Sequence, residues 1–231
     1  MLKKSLLFLA VLPLCSYANV VITGTRIIYP SEQKSISVQL TNVGDSPSLV
    51  QSWLDRGDFR SNPNTESVPF IIAPPITRVE AKAGQTLRVN FTNTESLAKD
   101  RESLFYFNLL DIPPKPSDSD LQNNPNYLQL AIRSRLKFFY RPSGLKITPS
   151  DAYKQVKWKI QSNGINIDNQ SPYYITYNHF QIGGQTVHPK EMIPPFSQHL
   201  FEAKGIKPGL TVKWSVVNDY GGDETGESPL Q

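Results

Sequence analysis

Three histidines, His179, His188 and His199, are the only imidazoles in the 231-residue chain. Their spacing of nine and eleven residues matches no common metal-ligand pattern, so they read as ordinary strand or surface histidines. Asp55 and Asp58 follow Trp53, an order a glycosidase could use as paired carboxylates beside a sugar-stacking ring. A solvated turn is the preferred reading, and the Arg56-Gly57-Asp58 tripeptide within it needs no partner to explain it. No G-x-S-x-G elbow, Walker loop or glycine-rich dinucleotide fingerprint occurs. Gly183-Gly184 suits a hairpin turn better than a phosphate cradle. No catalytic residue, metal or cofactor is expected, and the chain reads as a binding protein rather than an enzyme.

The strongest chemical pattern is an alternation from Tyr127 to Arg141, far longer than the usual strand of about 5 or 6 residues. Leu128, Leu130, Ile132, Ser134, Leu136, Phe138 and Tyr140 fall on one face; Tyr127, Gln129, Ala131, Arg133, Arg135, Lys137, Phe139 and Arg141 fall on the other. A core strand with a solvated basic face is the plainest account. A nucleic-acid strip would use Arg133, Arg135 and Lys137 on phosphate and Phe139 on a base. A third account is an edge strand that lends its backbone and its Leu128, Leu130 and Ile132 ladder to a partner missing a strand. Burying those three side chains would contribute roughly 5–9 kcal/mol.

The elements that must carry this strand are themselves β. Short β-branched and aromatic runs recur between turn residues at about 8–12-residue intervals, the pattern of a sandwich, and helical periodicity is nearly absent. Seven strands are expected in the first half, near Val20–Tyr29, Ser35–Asn42, Leu49–Leu54, Val68–Ile72, Thr86–Phe91, Leu104–Leu110 and Tyr127–Tyr140. Arg141-Pro142-Ser143-Gly144 interrupts the pattern and marks a domain boundary. Beyond it, strands are expected near Gln155–Gln161, Ile165–Asp168, Tyr173–Ile182, Ser197–Glu202 and Leu210–Asn218, with a frayed tail from Gly222 to Gln231. Two domains follow, over 19–142 and 143–231.

Residues 1–18 read as a cleaved export signal: Lys3 and Lys4, an apolar run from Leu6 to Leu14, and Ser16-Tyr17-Ala18 before Asn19. The run is shorter than the roughly 20 residues a spanning helix needs, so no membrane anchor is expected. Leu14 stands where a lipoprotein would place a small residue. Cleavage removes the only cysteine, Cys15, so hydrophobic cores rather than disulfides must hold the mature fold. It also removes two of the lysines behind the formal charge of +4, leaving too mild a balance to argue for nucleic acid.

One longer segment, Leu97-Ala98-Lys99-Asp100-Arg101-Glu102-Ser103-Leu104-Phe105-Tyr106-Phe107-Asn108-Leu109-Leu110-Asp111-Ile112-Pro113-Pro114, closely resembles the signature of the periplasmic pilus-assembly chaperones of the chaperone-usher pathway. Gly24-Thr25-Arg26-Ile27-Ile28-Tyr29-Pro30, Leu49 to Asp55, Val68-Pro69-Phe70, Arg133 to Pro142 and Asn218-Asp219-Tyr220-Gly221-Gly222 extend the likeness over nearly the whole mature chain. The resemblance implies an all-β chain of two immunoglobulin-like sandwiches around a cleft, working in the periplasm. Its partners would be pilus (fimbrial) subunits and an outer-membrane usher.

Carried over by position, the resemblance makes Arg26 and Lys137 the anchor for a subunit's C-terminal carboxylate. It makes Leu128, Leu130 and Ile132 the donor side chains, and Glu102, Arg141 and Asp219 an interdomain ionic cluster. If exposed, such pairs add little stability, so setting the angle between domains is the expected role. The short segment Pro113 to Asn126 lacks the bracketing cysteines of a long-loop subclass, and Ala98 stands where many relatives have proline. Leu128 and Lys137 have opposite parity, which a bulge or strong twist would reconcile. A fimbrial subunit or carbohydrate-binding adhesin is the alternative. Whether free copies pair edge to edge is left open.

Overall fold

The structure, a computed structural model, describes residues 19–116, 128–203 and 205–231; the expected export signal and Tyr127 lie outside them. The first sandwich packs a four-stranded sheet on a five-stranded one. The four-stranded sheet has the order β1 (Val20–Ile22), β3 (Ser35–Asn42), β7 (Gly84–Phe91), β5 (Phe70–Ala73). The five-stranded sheet has the order β2 (Arg26–Pro30), β9 (Ile132–Arg141), β8 (Ser103–Ile112), β4 (Ser48–Asp55), β6 (Ile76–Val79). Their inward faces enclose an aromatic core in which Tyr29, Phe70, Phe105, Phe107 and Phe138 are buried. Phe70 meets the rings of Phe105 and Phe138 edge to face at 5.1 and 5.0 Å, a favoured aromatic geometry.

The expected first strand, Val20 to Tyr29, is two strands. Gly24 takes φ +95°, which only glycine adopts cheaply, and there the chain crosses from one sheet to the other. β1 pairs antiparallel with β3, whereas β2 runs parallel to β9 from Arg26↔Lys137 to Pro30↔Arg141. β6 was not expected from the sequence.

The long alternating strand is also shorter than expected. β9 spans ten residues, and 128–131 carry no strand pairing. Its partner sets the limit: β8 ends at Ile112, where Pro113 and Pro114 have no N–H to donate, so the ladder stops at Asp111↔Ile132. Gln129 reaches Pro113 with its side chain instead, donating to the carbonyl at 2.7 Å.

The second sandwich has sheets ordered β10 (Lys157–Gln161), β11 (Gly164–Asn169), β14 (Ser197–Glu202) and β13 (Gln185–Val187), β12 (Tyr177–Ile182), β15 (Thr211–Val217), β16 (Asp223–Pro229). Trp158, Ile165, Ile167, Phe180, Val212 and Trp214 fill its core. The expected frayed tail is β16, paired with β15 from Val217↔Asp223 to Thr211↔Pro229. Polar residues alternate along it without an apolar stripe, yet Gly226 lies against the Trp214 indole, so backbone pairing and one glycine hold it. One helix, α1 (Pro149–Gln155), opens this domain, capped by the Thr148 hydroxyl accepting from the Asp151 N–H.

Candidate subunit-binding cleft

Between the two domains, β2 and β9 bring Arg26 and Lys137 into register as neighbours. Each is half-buried, and neither meets a carboxylate at salt-bridge distance among the described residues. The Arg26 guanidinium donates from Nη1 to the Val217 carbonyl at 2.8 Å, while its buried Nε has no partner. Among the described residues the Lys137 ammonium has only a long contact to Thr176 Oγ1 at 3.4 Å. Burial lowers the pKa of both; the nearby Arg26 charge lowers Lys137 further, and Tyr153, Asp219 and Glu102 partly offset the effect at Arg26. Two adjacent, under-solvated cations with spare donors form a site complementary to an anion. Thr176 and Val217 both belong to the second domain, a tether the sequence did not reveal.

β9 changes character at this point. From Lys137 to Tyr140 it has β2 on one side and β8 on the other; from Ile132 to Leu136 it pairs, among the described residues, with β8 alone. The chain before it leaves Leu128 77% and Leu130 59% exposed. The three expected donor residues therefore lie beside or just before a free backbone edge.

No bulge reconciles their parity with Lys137. Pairing of β8 with β9 advances one residue for one throughout. Strict alternation instead gives each set its own side. Ile132, Ser134 and Leu136 share parity with Phe138, which is in the core; Lys137, Phe139 and Arg141 face the second domain. Phe139 lies 5.7 Å from the Tyr174 ring, and so Phe138, Phe139 and Tyr140 are all buried.

Glu102, Arg141 and Asp219 do come together. Arg141 donates to Glu102 from Nε at 2.8 Å and grips Asp219 with Nη1 at 2.6 Å and Nη2 at 2.8 Å. The other Glu102 oxygen accepts the Tyr174 N–H at 2.9 Å, so it reaches from the first domain to the backbone of the second. The cluster is not the exposed one assumed from sequence, because Glu102 is only 3% exposed. Burial raises the Glu102 pKa against the opposing pull of Arg141. Burial would lower that of Arg141, but the Asp219 and Glu102 carboxylates raise it overall.

Asp55 corrects another expectation. It is fully buried rather than part of a solvated turn, whereas Asp58 is exposed. Its carboxylate holds Arg135, and Arg133 lies 3.6 Å away. These two guanidiniums stack on Tyr106 and Trp53 rather than standing in solvent. The basic stripe is thus largely spent inside the fold, which argues against a phosphate-gripping face. Arginines two apart on one face of β9, in the same sheet as the strand that carries Asp55, were the available signal.

Comparison with known proteins bears on the family and the fold. Residues 19–146 match the family model described as the pili and flagellar-assembly chaperone PapD N-terminal domain, and 151–228 match the C-terminal domain of the pili assembly chaperone PapD. The chaperone protein HifB of Haemophilus influenzae is 49% identical over 237 residues, covering 100% of this chain and 98% of that one. The crystal structure of the YadV chaperone superimposes with a TM-score of 0.75 at 39% identity, covering 91% of this chain and 98% of that one. The structure of the Salmonella enterica SafA pilin in complex with the SafB chaperone gives 0.78 at 26% identity, with 94% and 98% covered. With both domains matched in order and the two sandwiches present, this chain belongs to the PapD-like family of pilus-assembly chaperones.

Proposed function

We propose that this chaperone is exported to the periplasm with loss of residues 1–18, captures pilus subunits by donor-strand complementation and passes them to an outer-membrane usher. The observation that carries the reading is the free edge of β9 over Ile132–Leu136, ending at the two unpaired cations Arg26 and Lys137. A subunit strand laid on that edge would satisfy the open backbone groups, and its terminal carboxylate would take the spare donors of both cations. The carboxylate then sets the register in which Leu128, Leu130 and Ile132 enter the subunit's groove. Glu102, Arg141 and Asp219 hold the domain angle that shapes the cleft. No cofactor or catalytic step is needed, and release follows exchange with a better-fitting subunit strand.

Co-expression with the subunits of its pilus, followed by pull-down, tests this. The wild type should yield a one-to-one complex, weakened or lost in Arg26→Ala, Lys137→Ala and Ile132→Ser while each variant stays folded. Full binding by Lys137→Ala would remove the anchor from the account.

A further inference from the structure

Asp55 sits at the C-terminal end of β4, fully buried, and neither the cleft anchor nor the interdomain cluster uses it. Its carboxylate accepts from Arg135 Nε at 3.1 Å and from Arg135 Nη2, from Asn108 Nδ2 at 2.7 Å, from the Ser61 hydroxyl at 3.1 Å and from the Gly57 N–H at 2.6 Å. Burial opposes its ionisation, yet the bonds from Arg135, Asn108 and Gly57 hold its pKa below the ordinary carboxylate value. Arg133 closes the network, donating to Asn108 Oδ1 from Nε at 3.0 Å and Nη2 at 2.8 Å, to the Phe59 carbonyl at 2.7 Å and to Ser61 Oγ at 3.0 Å.

Both arginines come from the stretch of β9 that β2 leaves unpaired, and they alternate there with Ile132, Ser134 and Leu136. A strand braced on one side only is the part of a sheet that opens first. A slip of one residue against β8 would turn two guanidiniums toward the apolar core, so their capture in a closed network specifies the register. Buried ion pairs are often no more stabilising than apolar side chains of like volume, so stability alone is a poor account of this one.

We propose that the Asp55 network is a positioning device for subunit capture, holding the free edge at 132–136 extended and in register before a subunit arrives. This rests on the donor-strand reading above. An edge already ordered spares the complex the ordering cost at association, and Asp55 acts through Arg133 and Arg135 without touching the subunit.

The test uses the full exported chain, a purified pilus subunit diluted from denaturant as the probe, and the variants Asp55→Asn, Asp55→Asn with Arg135→Met, and Lys137→Ala. Asp55→Asn should speed amide exchange at 132–136 in the free protein and slow subunit association about tenfold, the effect of one or two side chains no longer held. The double variant removes the Arg135 guanidinium and leaves Arg133 its bonds to Asn108, the Phe59 carbonyl and Ser61, so it should recover most of the melting temperature. Fast exchange and slow association should persist in it, which a purely structural role would not produce. Association that recovers together with the melting temperature overturns the proposal, as does wild-type association by a folded Asp55→Asn. Should Asp55→Asn not fold, the double variant decides the matter by the same two readouts. Lys137→Ala separates the two levels: its full binding removes the cleft anchor from the donor-strand reading and leaves the Asp55 comparison to be judged on its own, whereas its loss beside wild-type association by the Asp55 variants refutes only the positioning role.

Discussion

Removing Arg141 should cost far more than removing Asp219, although both belong to one cluster. Arg141→Gln leaves Glu102, 3% exposed, with a single remaining bond to the Tyr174 N–H. At the 2.8 Å separation of Arg141 and Glu102 the attraction is about 6 kcal/mol in an effective dielectric of ~20. Desolvation offsets part of it, and breaking a buried pair from one side typically costs about 3–5 kcal/mol. Asp219→Asn leaves Arg141 paired with Glu102, and Asp219 has a 28% exposed side chain, so its loss should be about 1 kcal/mol or less. The two variants should also differ in pH dependence. The folded-state pKa of Glu102 is raised by burial, and Arg141 is what opposes the rise. Without Arg141 it rises further, so the folded state holds the Glu102 proton more tightly than the unfolded state does. The resulting penalty is absent below the unfolded pKa and sets in as pH climbs through the folded one. The deficit of Arg141→Gln should therefore be largest near neutral pH and shrink toward about pH 5. Urea unfolding across this range, followed by the tryptophans, reads both domains, since Trp53 lies in the first and Trp158 and Trp214 in the second. Equal losses for the two variants, or a deficit for Arg141→Gln that grows on acidification, would refute the reasoning.

Lys137→Met should raise thermal stability by up to about 1 kcal/mol, because it removes a partly buried cation without a counter-charge, while abolishing subunit capture; a lower melting temperature contradicts this. Ile132→Ser should weaken subunit binding tenfold or more, since burying an isoleucine contributes roughly 1.5–3 kcal/mol, with little change in the melt of the free protein; titration of the subunit measures it. Gly226→Ala should destabilise the second domain by about 1–3 kcal/mol, because a Cβ there would lie 2.3 Å from Trp214 Cζ2. A melt unchanged from wild type would be incompatible with β16 packing on Trp214.

Periodicity of two was enough to read the class of fold and the central strands, because each sandwich buries one face of most strands, and the alternation of Val38 and Leu40 or Phe105, Phe107 and Leu109 follows directly from that burial. It failed where burial is not what holds the strand. β16 has polar residues at most positions and is kept by backbone pairing to β15, and the extension of β9 back through 128–131 looked sound on side chains although β8 had run out of N–H donors at Pro113. The site was legible as residues but not as an arrangement. Arg26, Lys137, Glu102, Arg141 and Asp219 could be named only as what the family resemblance implies, since the motifs that carry that resemblance are linear. That Lys137 and Leu128 need no bulge between them, because one face of β9 meets the core and the other the second domain, depends on layers contributed by distant segments. The burial of Glu102 and Asp55 depends on them as well: the same carboxylate is a solvated turn or a buried clamp according to what a strand eighty residues away lays across it, here Arg135 on Asp55.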